Sequence, residues 1–408
     1  MTSIVGRELS VQDLPQIPKG WAYRPLEDLI LPGGLSYGIV QPGNHEPSGI
    51  PILRVKNLHF GGISESEVLR VSRSIEQQYE RSRLSGGEVL LSLVGSVGMV
   101  AIAPPSLSGW NVARAVAVIR IGDGLNNWVK YYLSSALAQH YIRIWQTTTV
   151  QATLNLRDVR RIPIAIPPAP EREDILNFLG TLDDKLAMNN RIGSTADGLV
   201  RSLYRWRSRQ CNDSISIGEI GNLVHVGISV EALTGEENYI ALEHMPRKNM
   251  WLSEWASADK VTSTKNRFVA GDILFGKLRP YFHKVGVAFV DGVSSTDILV
   301  VRPCKDSYHG WLLAALSSDE VVAHASAVGD GTRMPRAKWR DLANFDIPWI
   351  GETRAREFND HVDSLINRAR ASAMESRSIA NLREMVLPGL MSGVIRVGDA
   401  GRTVEDAK

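Results

Sequence analysis

The sequence predicts an α+β fold with two mixed α/β domains, which are related as a pseudo-twofold internal repeat. Two long helices are predicted to join these domains and to pair as an antiparallel coiled coil. Two observations lead to this fold class. Similar segments recur in the same order at an offset near 182 residues, and a long stretch of helical periodicity follows each copy. A period of this length is too long for a solenoid and indicates duplication of a whole domain.

Four pairs of matching segments carry the duplication. They are 84–91 with 268–275, 116–120 with 298–302, 156–159 with 339–342, and 164–167 with 345–348. Because ordered matches at nearly one offset are hard to obtain by chance, we expect the same structural unit twice in the chain.

Each copy begins with short β-branched runs that Gly and Pro separate, which predicts short strands joined by turns. In the first copy these runs are 52–55, 89–94 and 116–119. A helical stretch, 128–145, interrupts the strands, and 311–322 is its counterpart in the second copy. The Pro-rich segment 166–170 then ends the first compact part.

A long helix is predicted to follow each compact part. Acidic residues at 171–174 suit a helix N-terminus, and mostly apolar side chains then recur at intervals of three and four residues, as along a coiled-coil seam. The first seam is Phe178, Leu182, Ile192, Ala196, Leu199, Leu203 and Trp206, and the second is Phe358, Val362, Leu365, Ala369, Ile379 and Val386. Spacing leaves open whether each helix packs only on its own domain. It also leaves open whether Asn189 fixes the register of the seam or faces solvent.

These patterns divide the chain into five parts. They are a first domain at 1–168, a central helix at 169–210, a second domain at 211–350, a C-terminal helix at 351–393 and a tail at 394–408.

The composition is that of an ordinary globular protein. Of the 408 residues, 44% are hydrophobic and 22% are charged, and the net charge is only +2, which excludes a fully disordered chain, a collagen-like fibre and a disulfide scaffold. The two cysteines, Cys211 and Cys304, are too few for a Cys-rich zinc site. Since no apolar run reaches the length of a membrane span, we expect a soluble cytoplasmic protein.

Several motifs resemble those of specificity subunits of type I restriction–modification systems. Residues 182–204 resemble the central helix of that family, and 387–393 resemble its C-terminal signature. Residues 271–281 and 331–335 are similar to its recognition domains. The resemblance spans roughly residues 15 to 397, with one departure at 149–155, where many members have a Gly-rich stretch.

The resemblance implies a function for each part. Each domain would be a target recognition domain that reads one half of a bipartite, asymmetric DNA site, and the helices would be the spacer. It also implies docking of two methyltransferase (M) subunits and of restriction/translocase (R) subunits. The chain itself would be non-catalytic and hold no cofactor, because S-adenosylmethionine, ATP and Mg would be bound by the partner subunits.

Local clusters of basic and aromatic residues are the candidate DNA-binding sites. Lys and Arg neutralise phosphates, Arg also pairs with guanine, and Asn and Gln suit adenine edges. In the second copy the candidates are Lys277, Arg279, Tyr281, His283, Lys284, Arg333, Arg336 and Lys338, and in the first copy they are Arg54, Lys56, Asn57, Arg114, Gln151 and Arg157. The alternative for each cluster is a solvated charged surface.

Motifs of an enzyme are not found. The two Pro-Pro pairs, 104–105 and 167–168, lack the flanking residues of an Asn/Asp-Pro-Pro-Tyr/Phe amino-methyltransferase motif. Two alternative functions stay open from the sequence alone: a stand-alone DNA-modifying enzyme, or a helical scaffold that does not bind DNA.

Overall fold

The computed structural model describes residues 14–59, 62–148, 152–329 and 334–398. Its contacts divide the chain into two compact units. Unit 1 holds the described residues up to Asp184 together with those from Ala380 onward, and unit 2 is Lys185–Ile379. Each unit therefore contains a segment of both long helices.

The described residues of unit 1 form thirteen strands and four short α-helices before the first long helix. The strands are β1 (Ala22–Pro25), β2 (Ile30–Tyr37), β3 (Ile50–Leu53), β4 (Leu58–His59), β5 (Gly62–Ile63), β6 (Leu69–Val71), β7 (Val89–Ser92), β8 (Val100–Ile102), β9 (Asn111–Val112), β10 (Val116–Ile121), β11 (Thr147–Thr148), β12 (Ala152–Thr153) and β13 (Pro163–Ile166). The helices are α1 (Arg73–Glu76), α2 (Asn126–Ser134), α3 (Ala136–Trp145) and α4 (Leu156–Arg160), and the long helix α5 (Ala169–Ser208) follows.

The strands of unit 1 form small sheets around one main core. The largest has the order β2-β10-β7-β8, a second has the order β6-β3-β9, and β1 pairs with β13. The central strands β7 and β10 are buried nearly throughout, as their continuous apolar sequences predict. Helices α2 and α3 cover this sheet, and the fully buried Trp128 of α2 contacts β13.

Unit 2 repeats this succession of elements. Its strands are β14 (Asp213–Ser216), β15 (Gly221–Val224), β16 (Gly227–Ile228), β17 (Asn238–Ile240), β18 (Trp251–Leu252), β19 (Ala256–Ser257), β20 (Lys265–Phe268), β21 (Ile273–Gly276), β22 (Val285–Ala288), β23 (Gly292–Ser294), β24 (Ile298–Pro303) and β25 (Asp346–Trp349). Its helices are α6 (Ile217–Ile220), α7 (His309–Leu316), α8 (Asp319–Ala327), α9 (Trp339–Ala343) and the long α10 (Glu352–Ser392).

The sheets of unit 2 match those of unit 1. The order β15-β24-β21-β22-β18 corresponds to β2-β10-β7-β8, and β14 pairs with β25 as β1 pairs with β13. A parallel pair also recurs, β17 with β23 in unit 2 and β3 with β9 in unit 1. The predicted internal repeat is confirmed at the level of strand order.

Two buried interactions recur at the repeat offset. The indole Nε1 of Trp128 donates to the carbonyl oxygen of Ala165 at 2.8 Å, and that of Trp311 donates to Pro348 at 3.0 Å. In unit 1 this bond joins α2 to β13, and in unit 2 it joins α7 to β25. The same contact therefore holds equivalent elements together in both units.

A buried acid at the start of the central strand recurs as well. Glu88 accepts from the backbone amides of Ser85 and Gly86, and Asp272 accepts from that of Val269. Arg302 pairs with Asp272 through two nitrogens at 2.7 and 2.8 Å. These acids stabilise the Gly turn before β7 and β21, which explains why the segments around them match so well in sequence.

The helical stretches 128–145 and 311–322 are each two helices, not one as predicted. Ser135 caps α3 by accepting from the Ala138 amide, and Ser318 caps α8 by accepting from the Val321 amide. A side-chain oxygen at the helix start satisfies an amide that has no partner within the helix, and so begins a new helix.

Helices α5 and α10 pair in an antiparallel direction, as predicted. In unit 1, Asp183 of α5 accepts from Arg383 of α10 at 2.7 Å. In unit 2, Asn189 of α5 donates to Glu375 of α10 at 2.9 Å. Asn189 is only 3% exposed, so the structure favours its role on the seam over a solvent-facing position.

The predicted seam of α5 is partly wrong. Leu199 and Trp206 are 44% and 55% exposed, whereas Val200 and Tyr204 are buried. The buried side of α5 is displaced from the predicted stripe because α5 packs on the strands and short helices of each unit as well as on α10. The predicted seam of α10 agrees better with the structure. Four of its residues are buried, namely Phe358, Val362, Ala369 and Val386.

None of the described helices combines the length and the apolarity needed to cross a membrane. Cys211 is half-buried, Cys304 is exposed, and neither forms a disulfide.

Candidate nucleic-acid interface

In unit 2 the two predicted basic clusters lie side by side. Leu278 forms an antiparallel bridge with Arg336. Around it, the Arg279 amide donates to Pro335 at 2.8 Å and the Ala337 amide donates to Lys277 at 2.9 Å. The segment after β21 and the segment before α9 therefore form one surface, although about sixty residues separate them in the sequence.

A short turn, residues 279–283, projects an aromatic side chain from this surface. Arg279 and His283 flank the turn with left-handed φ values of 52° and 54°, which non-glycine residues seldom adopt. Tyr281 at its tip is 53% exposed and meets the Phe282 ring edge-on at 4.8 Å. The guanidinium of Arg247 lies 4.1 Å from the centre of the Phe282 ring, so Phe282 is held between its neighbours while Tyr281 faces solvent.

The cations of this surface differ in how they are held. The Nε–H of Arg279 is buried and has no acceptor among the described residues, which is rare for a buried donor. Lys277 is half-buried, and Lys338 is exposed. Arg336 is 58% exposed and lies 3.5 Å from the carboxylate of Asp297, which neutralises part of its charge.

The side chains of His283 and Lys284 are bound within the fold and do not face solvent as DNA-binding groups would. The His283 ring is 4% exposed, and its Nε2 lies 2.8 Å from the carbonyl oxygen of Ser317. Burial lowers the pKa of His283, and the positive charge of Arg201 adds to this effect. The ammonium of Lys284 donates to the carbonyl oxygen of Leu242, and burial lowers the pKa of this lysine.

In unit 1, two candidates line a groove of about 730 Å³. Arg54 and Lys56 lie on one side of it, and Gly95 and Ser96 belong to the turn on the other side. Arg54 donates from Nη2 to the Glu67 carbonyl oxygen at 2.7 Å, and its Nε–H is buried with no acceptor in the described part of the chain. Lys56 pairs with the carboxylate of Glu67 at 2.8 Å, and both side chains are well exposed.

The remaining candidates of unit 1 are spread over different surroundings. Asn57 is 1% exposed, and its amide bonds to the backbone at Arg54, Ser64 and Ser66, so it supports the loop after β3. Arg114 is exposed beside the groove, and Arg157 is 82% exposed on α4. Gln151 of unit 1 and Arg333 of unit 2 lie outside the described residues.

The bridge of unit 2 has a counterpart in unit 1. Val94 forms an antiparallel bridge with Thr153, 184 and 183 residues before Leu278 and Arg336. The Leu154 amide donates to Leu93 at 2.9 Å beside it. Each unit thus presents a turn after its central strand, held against the segment that precedes α4 or α9.

Sequence reasoning missed the residues that support the turn of unit 2. Arg247, Asp197 and Arg201 all contact this region, yet they lie 30 or more residues from the turn in the sequence and belong to no basic cluster there. Only the tertiary structure brings them together. Among the described residues, no group of His, Cys, Asp and Glu side chains could hold a metal ion.

Comparison with known proteins gives one family match. Residues 18–195 match the family described as the type I restriction modification DNA specificity domain. Over 165 residues the chain is 29% identical to the EcoBI specificity subunit of a type I restriction enzyme from Escherichia coli, which covers 39% of this chain and 34% of the relative. It is 22% identical over 207 residues to the putative MjaX specificity subunit of Methanocaldococcus jannaschii, 47% of each chain.

The fold has a counterpart among solved structures. The S subunit of a type I restriction–modification system from M. genitalium superposes with a TM-score of 0.53 at 15% identity, covering 94% of this chain and 98% of that one. At this identity the likeness shows the fold. By sequence, the chain spans about a third of the EcoBI subunit and about half of the MjaX subunit.

Proposed function

We propose that this chain, whose residues 18–195 match the type I restriction modification DNA specificity domain, reads a bipartite, asymmetric DNA site. Each unit reads one half. The first target recognition domain lies within 1–168 and the second within 211–350, and the helices at 169–210 and 351–393 are the spacer.

One observation carries this proposal: both units hold a turn against a second segment at equivalent places, and cationic side chains surround each turn. The bridges Val94–Thr153 and Leu278–Arg336 are the common frame. In each unit an arginine lies beside these bridges: Arg54 lines the groove next to Val94, and Arg279 follows Leu278. Arginine side chains pair with phosphate oxygens and with the guanine edge of DNA.

The partners and cofactors follow from the same proposal. The chain docks two methyltransferase subunits and restriction/translocase subunits in the cytoplasm. S-adenosylmethionine, ATP and Mg are bound by those partners, and the present chain contributes the choice of sequence.

The test is DNA binding by the full chain with its methyltransferase subunits over a series of salt concentrations. Lys277→Gln and Arg279→Gln are each expected to weaken binding about tenfold at low salt, since each removes one cation near phosphate, and to lower the salt slope by about 1. Arg209→Gln removes the same charge from an exposed site one residue after α5 and is expected to bind as the wild type does. A wild-type complex with no affinity for duplex DNA, or two site variants that bind like the control, contradicts the proposal.

A further inference from the structure

The DNA-facing turn of unit 2 and helix α5 share one hydrogen-bond acceptor. Ser317, directly after α7, is fully buried. Its carbonyl oxygen accepts from Nη1 of Arg201 on α5 at 2.6 Å and lies 2.8 Å from Nε2 of His283, which ends the turn. The shared oxygen therefore links the spacer helix directly to the end of the turn.

The chemistry of this contact fixes the state of His283. A carbonyl oxygen only accepts, so the Nε2 of His283 carries the proton and donates. The other ring nitrogen, Nδ1, lies 3.5 Å from the carboxylate of Asp319, which is 83% exposed. Burial, Arg201 and Lys248 lower the pKa of His283, and the bond to Ser317 and the charge of Asp319 oppose them; the net result is a lowered pKa, so the ring is neutral at neutral pH.

A second path connects the same two places. Asp197, one turn before Arg201 on α5, accepts from Nε of Arg201 at 2.8 Å and from the backbone amide of Met250 at 2.8 Å. Two residues before Met250, the amide of Lys248 donates to the carbonyl oxygen of His283 at 2.9 Å. Helix α5 is therefore connected to His283 in two ways. One connection passes through Ser317, and the other passes through Met250 and Lys248.

We infer that Arg201 is a positioning residue for recognition of the half-site read by unit 2, and that α5 sets the place of the turn through the shared Ser317 oxygen. This inference rests on the proposed function. At its other end the turn is held by Arg279, whose amide donates to Pro335. With Arg201 removed, the His283 end keeps its bond to Ser317, but that carbonyl and the nearly buried Asp197 lose their common partner.

The consequence is specific to one half of the site. Tyr281 and Arg279 lie within the turn, so a shift of its His283 end moves the groups that face DNA. Arg201 bonds to Asp197 and Ser317, which both belong to unit 2, so the half of the site read by unit 1 is expected to keep its discrimination. A wrong base pair usually costs roughly tenfold to a hundredfold in affinity, and we expect Arg201→Met to reduce that penalty to a few-fold for the unit 2 half alone.

The experiment uses the full chain assembled with its methyltransferase subunits. The methylated sequences are read for the wild type, Arg201→Met, Arg201→Lys and the control Arg205→Met, which changes an exposed arginine one turn further along α5. Arg201→Met is expected to yield one degenerate half-site and one unchanged half-site. Arg201→Lys, which keeps the charge, is expected to recover part of the discrimination, and Arg205→Met all of it.

A second measurement separates positioning from simple loss of stability. The pKa of His283 is followed by NMR in the histidine-labelled full chain, with His283→Gln to assign its signal. Removing the positive charge at Arg201 is expected to raise this pKa towards the ordinary value, while Arg201→Lys and Arg205→Met leave it close to the wild type.

The outcomes are distinct. A wild-type complex that methylates no two-part site overturns the proposed function itself. A wild-type two-part site that Arg201→Met reads with full discrimination in both halves overturns the role of Arg201, as does an unchanged His283 pKa in that variant. Equal loss in both halves marks a general defect and also overturns it.

Discussion

A neutral histidine in the interior ties the stability of unit 2 to pH. The His283 ring is nearly inaccessible, and its neighbours from three elements are Arg201 of α5, Asp319 of α8 and Lys248 of the loop before β18. Since its pKa is lowered in the folded state, the unfolded chain binds the proton more readily. Acid therefore favours unfolding here.

We expect the free energy of unfolding of unit 2 to fall as pH drops below about 6.5, the ordinary pKa of histidine, and to keep falling until His283 is protonated in the folded state. His283→Gln keeps a donor towards the Ser317 oxygen but cannot titrate, so its unfolding should depend less on pH. Urea unfolding of the full chain between pH 5 and 8 measures this. His225→Gln, at an exposed histidine of unit 2, is the control, and equal slopes for both variants would count against the assignment.

Residue identity predicted which candidate DNA-binding side chains are polar or charged, but not which of them are exposed to solvent. His283, Lys284 and Asn57 have the side chains of DNA contacts, yet each polar group is used by a nearby backbone atom. Whether a cation faces solvent depends on which backbone carbonyls surround it, and that follows only from the folded chain.

At the scale of elements, one carboxylate joins three helices in unit 1. Asp183 of α5 accepts from Lys130 and Tyr131 of α2 and from Arg383 of α10. Burial opposes the charge of Asp183, but Lys130, Tyr131 and Arg383 together hold its pKa below the ordinary value. The carboxylate therefore stabilises the unit over the whole neutral range and loses this effect only in strong acid.

Asp183→Asn is expected to lower the free energy of unfolding of unit 1 by about 2 kcal/mol, because it leaves two partly buried cations without their common partner. Hydrogen exchange at the backbone amides of residues 380–392 should accelerate. Asp184→Asn, one residue along the same helix and exposed, is the matched control. Similar exchange rates in the two variants would show that Asp183 does not hold the helices together.

The long helices illustrate what periodicity can and cannot predict. Their existence, length and antiparallel pairing follow from the seam, the acidic start and the Pro-rich stops. The rotation of α5 does not, because apolar residues such as Leu199 and Trp206 satisfy the period but lie on the exposed side. A helix that packs on two neighbours has a wide buried surface, and spacing alone does not locate its centre.

At the scale of the molecule, the two copies share their internal contacts and differ in the side chains at their surfaces. The indole contacts of Trp128 and Trp311 recur at the same offset, as does the bridge beside each turn. The exposed residues on that frame differ, since Arg336 stands where Thr153 stands in unit 1. Equal frames with unlike side chains are expected to read two unlike half-sites.

The duplication and the order of strands within each copy could be predicted from the sequence, since matching segments preserve the buried residues. The meeting of residues 277–284 with 334–338 could not, because a pairing across nearly sixty residues is decided by the sheet between them. Each basic cluster was visible by itself, but the single surface they form was not.

If the chain reads a two-part DNA sequence as we propose, each unit should determine one part of it. Sequencing of the methylated bases in cells that carry the full chain with its methyltransferase and restriction subunits tests it most directly. We expect one motif with two different halves around an unread gap, of which Arg279→Gln alters a single half. A continuous motif, two identical halves, or a motif that changes in both halves with that substitution would contradict it.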